Sequence, residues 1–158
     1  MPATLEEGQP APDVSALTDK GETVSLTDFP GKRVVVYFYP KDDTPGCTIE
    51  ACDFRDHIAA IETEDAVVLG VSLDDVASHE QFRDKFELPF TLLADTDHAV
   101  SEAFGVYGKQ QFRDVEYMGV TRATFIIAKD GTIAKVWPQV NPNGHGEDVL
   151  AWLREHKG

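Results

Sequence analysis

The feature that most constrains the fold is RVVVYFY, an almost continuous apolar run over residues 33–39. β-branched and aromatic residues dominate this run, which is typical of a central strand covered on both faces. A second run of the same kind, AVVLGVS, follows at 66–72 after a segment with helical spacing. Strands that alternate with helices in this way predict parallel pairing and an α/β architecture.

The remainder of the chain continues this alternation. GQPAPDVSAL is expected to become extended and ETVSL to return beside it after a turn at Lys20-Gly21, which makes an N-terminal β-hairpin. The other predicted elements are helices at 47–62, 74–87, 98–105 and 146–158, a strand at 90–95, and two strands within 123–137 joined at Asp130-Gly131. The expected fold is an α/β sandwich with a central mixed β-sheet flanked by helices. No repeat, low-complexity segment or linker interrupts the chain, so residues 1–158 are expected to form a single domain.

Composition narrows the set of partners. The formal net charge of −14 argues against nucleic acid or an anionic membrane as a partner. The N-terminal segment has neither the basic start nor the apolar core of a signal peptide, and no apolar run approaches the ~18 residues of a membrane span. We therefore expect a cytoplasmic protein. In that compartment cysteines are more often catalytic or redox-active than structural.

The two cysteines, Cys47 and Cys52, stand near the start of the first predicted helix, just after Pro45-Gly46. One apolar stripe at helical spacing is formed by residues 47, 51, 54, 58 and 61. Cys47 is therefore expected in the first turn, on the side that faces the core.

The first turn of a helix favours an anion such as a thiolate, because its N–H groups are unpaired and its dipole end is positive. Helix N-termini can lower the pKa of a cysteine well below the free value of about 8.5. The dipole contributes only about 1 kcal/mol, so a cation should assist it. Arg55, Lys41 and Arg122 are the candidates, and the residue pattern alone does not choose between them.

Cys52 lies about 140° around the same helix from Cys47. An intact helix holds Cα atoms five residues apart at about 8–9 Å, whereas a disulfide requires less than about 7 Å. The two cysteines therefore cannot form a disulfide while the helix stays wound. If they do pair, the first turns must unwind and the protein has at least two states.

Each of these residues also has a plainer interpretation. A buried cysteine in a helix is often a small hydrophobe, the Pro-Gly turn before Cys47 would be only a turn, and Arg122 would be a surface residue. A zinc site built from Cys47, Cys52 and His57 lacks the C-x-x-C spacing and an evident fourth ligand. The missing C-x-x-C also counts against a thioredoxin-type dithiol enzyme. The histidines show no ligand spacing.

Pro40, Thr44 and Cys47 form the pattern P-x-x-x-T-x-x-C, which resembles the active-site signature of the peroxiredoxins. The second cysteine, in T-x-E-A-C, resembles the PrxQ, or bacterioferritin comigratory protein, branch of that family. Resemblance extends to GQPAPD, FYPKDDTPGCTIEACDF, VVLGVSLD, LLAD and RATFIIAKDG, and so covers nearly all of the chain. It implies a thioredoxin-like sandwich that forms one peroxiredoxin domain.

The resemblance also implies a role for each matched residue. Cys47 would be the peroxidatic cysteine, whose thiolate attacks the peroxide O–O bond and becomes a sulfenic acid. Thr44 would hold the peroxide through its hydroxyl, Pro40 would shield the thiolate from water, and Arg122 would lie beside the sulfur. Cys52 would be the resolving cysteine, which forms a disulfide with Cys47 after the helix opens locally.

The implied activity is the reduction of hydrogen peroxide and organic hydroperoxides, with thioredoxin or glutaredoxin as the reductant. No cofactor or metal is expected. A monomer is expected because the resolving thiol lies in the same helix as the attacking thiol. Two other classes of function compete with this one: a thiol–disulfide oxidoreductase that acts on client proteins, and a redox-responsive binding protein whose function would survive loss of Arg122 and Thr44.

Overall fold

The computed structural model describes residues 5–156, except for the side chain of Phe112. The strands are β1 (Ser15–Thr18), β2 (Thr23–Ser25), β3 (Arg33–Phe38), β4 (Ala66–Ser72), β5 (Thr91–Ala94), β6 (Tyr107–Phe112), β7 (Val115–Val120), β8 (Ala123–Ile127) and β9 (Ile133–Trp137). The helices are α1 (Pro45–Glu62), α2 (Val76–Phe86), α3 (Ala99–Ala103) and α4 (His145–Glu155). Within this part of the chain, no helix combines the length and apolarity needed to cross a membrane.

Seven of the described strands form the main sheet, in the order β2-β1-β5-β4-β3-β8-β9. β3, β4 and β5 pair in parallel, whereas β8, β9 and the β1–β2 hairpin add antiparallel strands on the two sides. Every residue of β3 is buried, as its apolar run predicts. The prediction of a central mixed sheet with helices on its faces and an N-terminal β-hairpin is confirmed.

Alternate residues of β3 supply the hydrophobic cores on the two faces of the sheet. Tyr37 points to the face that carries α1, α2 and α4, and Phe54 of α1 stacks on it with 4.6 Å between the ring centroids. Phe38 points to the opposite face and packs against Phe104 at the end of α3, at 5.2 Å. This packing fixes α1 on the sheet, with its first turn near the C-terminal end of β3.

The helices begin and end close to the predicted residues. α1 starts at Pro45, two residues before its predicted start, and proline fits the first helical position because an N–H there has no partner within the helix. α2 is shorter than predicted because Asp75 caps it by accepting from the Ser78 N–H at 2.9 Å, and because Glu87 adopts a left-handed conformation at its end. The predicted end of the last helix at 157–158 lies outside the described residues.

A second hairpin, β6–β7, was not predicted from the sequence, which left this segment without an element. The two strands form a separate antiparallel sheet, and Arg113 turns between them with a φ of 58°. The first four residues of β7 are exposed, including Tyr117 and Met118. Because this hairpin has no extensive buried face, its sequence lacks the apolar alternation that signals a strand.

We predict that Gly70→Ala in β4 lowers the free energy of unfolding by about 2 kcal/mol, because an overpacked core must shift to accept a methyl group. A Cβ at this position would lie 2.9 Å from the Tyr37 ring and 2.9 Å from the Leu92 side chain. Urea unfolding measures the change. Gly108→Ala in β6 is the matched control, since a Cβ there meets nothing within 4 Å. Equal effects of the two substitutions would contradict the packing described above.

Candidate active site

The first turn of α1 places Cys47 against the sheet. Thr44 precedes the helix in an extended conformation, and Pro45 occupies the first helical position. Cys47 follows in the first turn, is 1% exposed, and belongs to the same core cluster as Phe54. The structure thus puts Cys47 on the core-facing side of the helix N-terminus, as the apolar stripe predicts.

Arg122 supplies the cation beside the sulfur. It lies between the end of β7 and the start of β8, and its Nη2 donates to the Sγ of Cys47 at 3.3 Å. Of the other two candidates, Arg55 donates to a backbone carbonyl at the end of α2, and Lys41 is exposed. Gly46 leaves room for the guanidinium, because a Cβ there would lie 3.1 Å from Nη2.

Glu50 is a buried acid one helical turn after Cys47, and no role for it was predicted from the sequence. Its Oε1 accepts from Nη1 of Arg122 at 2.7 Å, and its side chain is fully buried. Burial raises the pKa of Glu50 to about 7, against the lowering effect of the Arg122 charge and hydrogen bond. The guanidinium is therefore held between an acid and a thiol. The sequence did contain a signal for Glu50, namely its three-residue spacing from Cys47, which puts both side chains on one face of the helix.

Thr44 and Pro40 lie in the loop between β3 and α1. The Thr44 hydroxyl donates to the carbonyl oxygen of Lys41 at 3.0 Å, and the residue is partly exposed. Pro40 is exposed, two residues after the end of β3. The roles that the family resemblance implies for these two residues stay predictions.

Cys52 is half-buried further along α1, and both thiols are free. Because α1 is continuous from Pro45 to Glu62, ideal helix geometry keeps the two cysteine Cα atoms about 8–9 Å apart. The residue after Cys52, Asp53, accepts hydrogen bonds from the N–H groups of Gly146 and Glu147 at the start of α4. The structure therefore holds the two thiols apart and ties the helix just beyond Cys52 to α4.

The nucleophilic form of cysteine is the thiolate, and Cys47 lies where a helix N-terminus and a guanidinium meet. The helix dipole and the fixed charge of Arg122 act on the same sulfur atom. Placed at the strand ends of a mixed α/β sandwich, this site defines a thiol-based redox enzyme of the thioredoxin-fold class.

Comparison with known proteins identifies the family. The AhpC/TSA family matches residues 7–136. Peroxiredoxin Bcp of Bacillus subtilis is 47% identical over 152 residues, which cover 96% of this chain and 97% of that protein. A mutant of Xylella fastidiosa PrxQ has a similar structure, with a TM-score of 0.91 and 33% identity over 98% of each chain. A structure of the Xanthomonas campestris bacterioferritin comigratory protein, from a study of its alkyl peroxide reduction activity, is also similar. It has a TM-score of 0.88 and 35% identity over 99% of each chain.

The chain therefore belongs to the AhpC/TSA family, within the Bcp, or PrxQ, branch of the peroxiredoxins. It is a thiol peroxidase with a thioredoxin-type fold, so the family resemblance and the class of activity inferred from the sequence are confirmed.

We predict that Glu50→Gln flattens the pH dependence of stability between pH 4.5 and 7. The folded wild-type protein keeps the Glu50 proton up to about pH 7, whereas the unfolded chain releases it near the ordinary value of 4.5. The unfolded state therefore binds fewer protons in this window, and stability falls as the pH rises. Relative to the variant, the wild type should lose about 3 kcal/mol across the window.

Urea unfolding of both proteins at several pH values measures this difference. Glu62→Gln, at the exposed end of the same helix, is the matched control and should follow the wild type. Parallel pH curves for the wild type and the Glu50 variant would show that the buried carboxyl does not hold its proton.

Proposed function

We propose that the chain reduces hydrogen peroxide and organic hydroperoxides with Cys47 as the attacking thiolate. The observation that carries this proposal is the 3.3 Å contact of Arg122 Nη2 with the buried Sγ of Cys47. The sulfur donates an electron pair to the terminal peroxide oxygen, the O–O bond breaks, and the other oxygen leaves as hydroxide or alkoxide and takes up a proton. Cys47 becomes a sulfenic acid. Pro40, at the start of the adjacent loop, would limit the access of water.

Fixed donors that point at the departing oxygen stabilise the charge that develops there. Arg122 is always protonated and carries several N–H donors, and its bond to Glu50 fixes the plane of the guanidinium. The Thr44 hydroxyl can accept from one peroxide oxygen and donate to the other. In the structure its hydrogen points at the Lys41 carbonyl, which leaves its oxygen lone pairs free to accept from the peroxide O–H.

Cys52 would resolve the sulfenic acid. Its thiolate attacks the Cys47 sulfur, hydroxide leaves and is protonated to water, and a disulfide forms. Both cysteines are free and lie on one helix. Because the helical Cα separation of about 8–9 Å exceeds the reach of a disulfide, residues 45–52 have to leave the helical conformation first.

A dithiol protein of the thioredoxin or glutaredoxin type would return both cysteines to thiols by disulfide exchange. The net charge of −14 favours a reductant with a basic docking surface. We further propose that the protein acts in the cytoplasm as a monomer with a single domain, since one helix carries both thiols and no second chain is needed.

The first test is rapid mixing of the reduced protein with one equivalent of hydrogen peroxide, followed by fluorescence and intact mass. We expect both thiols to disappear quickly, with the loss of two hydrogen atoms. Cys52→Ser should stop at a trapped sulfenic acid on Cys47. Oxidation no faster than that of an ordinary free thiol would rule out the peroxidase assignment.

The second test is Arg122→Ala. Loss of one preorganised donor typically lowers a rate about 10²–10³-fold, and we expect a loss of this size in the peroxide-dependent phase. Arg55→Ala is the matched control, because it removes a positive charge from the same region without touching the sulfur. If the Arg122 variant kept the binding function of the wild type, a redox-responsive binding protein would be favoured. If the wild type reduced insulin efficiently, a dithiol oxidoreductase would be favoured.

A further inference from the structure

A second buried pair of charged residues lies on the other side of the peroxide loop, which we define as residues 40–44. Asp42, in the middle of this loop, is 8% exposed although it is acidic. Its Oδ1 accepts from the Tyr39 hydroxyl at 2.6 Å, and its Oδ2 accepts from the Ser78 hydroxyl at 2.8 Å. The same Oδ2 lies 2.7 Å from Nδ1 of His79, which is fully buried on α2. The catalytic steps above assign no role to this pair.

The partners of His79 fix its protonation. Nε2 lies 2.7 Å from the carbonyl oxygen of Leu93, which can only accept, so Nε2 carries a hydrogen. Nδ1 faces a carboxylate that already accepts from two hydroxyl groups, so Nδ1 also carries a hydrogen and donates it. Burial lowers the pKa of His79, but the hydrogen bond and charge of Asp42 outweigh it and the net shift is upward.

One peptide group links this pair to Thr44. The N–H of the peptide between Lys41 and Asp42 donates to the Asp74 carboxylate at 2.7 Å. The carbonyl of the same peptide accepts from the Thr44 hydroxyl at 3.0 Å. Because a peptide group is planar, fixing its N–H also fixes the direction of its carbonyl. The orientation of the Thr44 hydroxyl therefore depends on how firmly Asp42 is held.

The loop turns sharply at Asp43. The φ of this residue is 59°, in the left-handed region that aspartate tolerates better than most non-glycine residues. Its own side-chain partner, Lys85, makes a 2.7 Å ion pair that is exposed to water and so contributes little. The buried contacts of Asp42 therefore hold the loop in place.

We propose that His79, as an imidazolium, and Asp42 form a positioning pair that holds the peroxide loop and thereby sets the direction of the Thr44 hydroxyl. Neither residue contacts the reacting sulfur in the described contacts. This inference rests on the proposed function, because it assumes that Thr44 receives the peroxide. The pair acts before the thiolate reacts, by reducing the number of orientations that the hydroxyl samples.

The first experiment measures the protonation of His79 in the wild-type protein. The ¹⁵N chemical shifts of its ring nitrogens at pH 7.5 should both be of the protonated type. A ring with one unprotonated nitrogen would overturn the ion pair. This readout does not depend on peroxidase activity.

The second experiment compares rates of Cys47 oxidation by hydrogen peroxide. Asp42→Asn and His79→Leu should slow this phase about tenfold. His79→Asn, which keeps a donor toward Asp42, should retain an intermediate rate. The matched control is Asp95→Asn. Asp95 is also a buried acid, and it accepts from two backbone N–H groups and a hydroxyl at the start of α3 rather than from partners of the peroxide loop.

Alkylation of Cys47 by iodoacetamide separates positioning from a general structural effect, because this reaction needs no peroxide site. It should stay within about twofold of wild type in the Asp42 and His79 variants. Equal slowing of alkylation and peroxide oxidation in the Asp42 and His79 variants would overturn the inference. The same slowing of peroxide oxidation in the Asp95 control, compared at equal stability to urea, would also overturn it. A wild-type protein that reacts no faster than a free thiol would refute the proposed function, whereas a fast wild type with unaffected variants would refute this inference alone.

Discussion

The guanidinium of Arg122 is the interaction on which the rest of the site depends, because it contacts both the Cys47 sulfur and the Glu50 carboxylate. Two ionisable groups, the Cys47 thiol and the Glu50 carboxyl, therefore share the positive charge of one arginine. With Glu50 ionised, the acid already neutralises the arginine, and a thiolate adds an uncompensated negative charge. With Glu50 protonated, Arg122 balances the thiolate instead. Burial, which raises the pKa of Glu50 to about 7, keeps this second arrangement accessible near neutral pH.

The sheet brings these groups together although they are distant in sequence. β8 runs antiparallel to β3, with Phe38 opposite Ala123. Arg122, the residue before β8, therefore lies at the same edge of the sheet, where β3 ends and α1 begins. The helix then supplies Cys47 and Glu50 from adjacent turns of its buried face. Strand register and helix periodicity thus build the site together, and a one-residue slip of β8 would turn Arg122 to the other face of the sheet.

Most of the fold could be predicted from the sequence because its buried strands and helices carry local apolar patterns. The apolar stripe of α1 likewise predicted the burial of Cys47. The choice of Arg122 over the other two cations followed only from the family resemblance, because it depends on a contact between residues 75 positions apart in the sequence. Glu50 and His79 were not found, since each is a polar residue whose burial is compensated by a partner remote in sequence. The β6–β7 hairpin was not found because it buries little apolar surface.

The two proposed chemical steps place opposite demands on residues 45–52, which must be fixed for attack on the peroxide and then unwind for disulfide formation. The contacts of Asp42 lie before this segment and those of Asp53 with α4 lie after it, so both can persist while it moves. Glu50 lies inside the segment. Unwinding would expose its carboxyl to water, where it ionises freely at neutral pH. The free energy that burial costs Glu50 in the wound helix is then released, which lowers the cost of the unwinding that the second step requires.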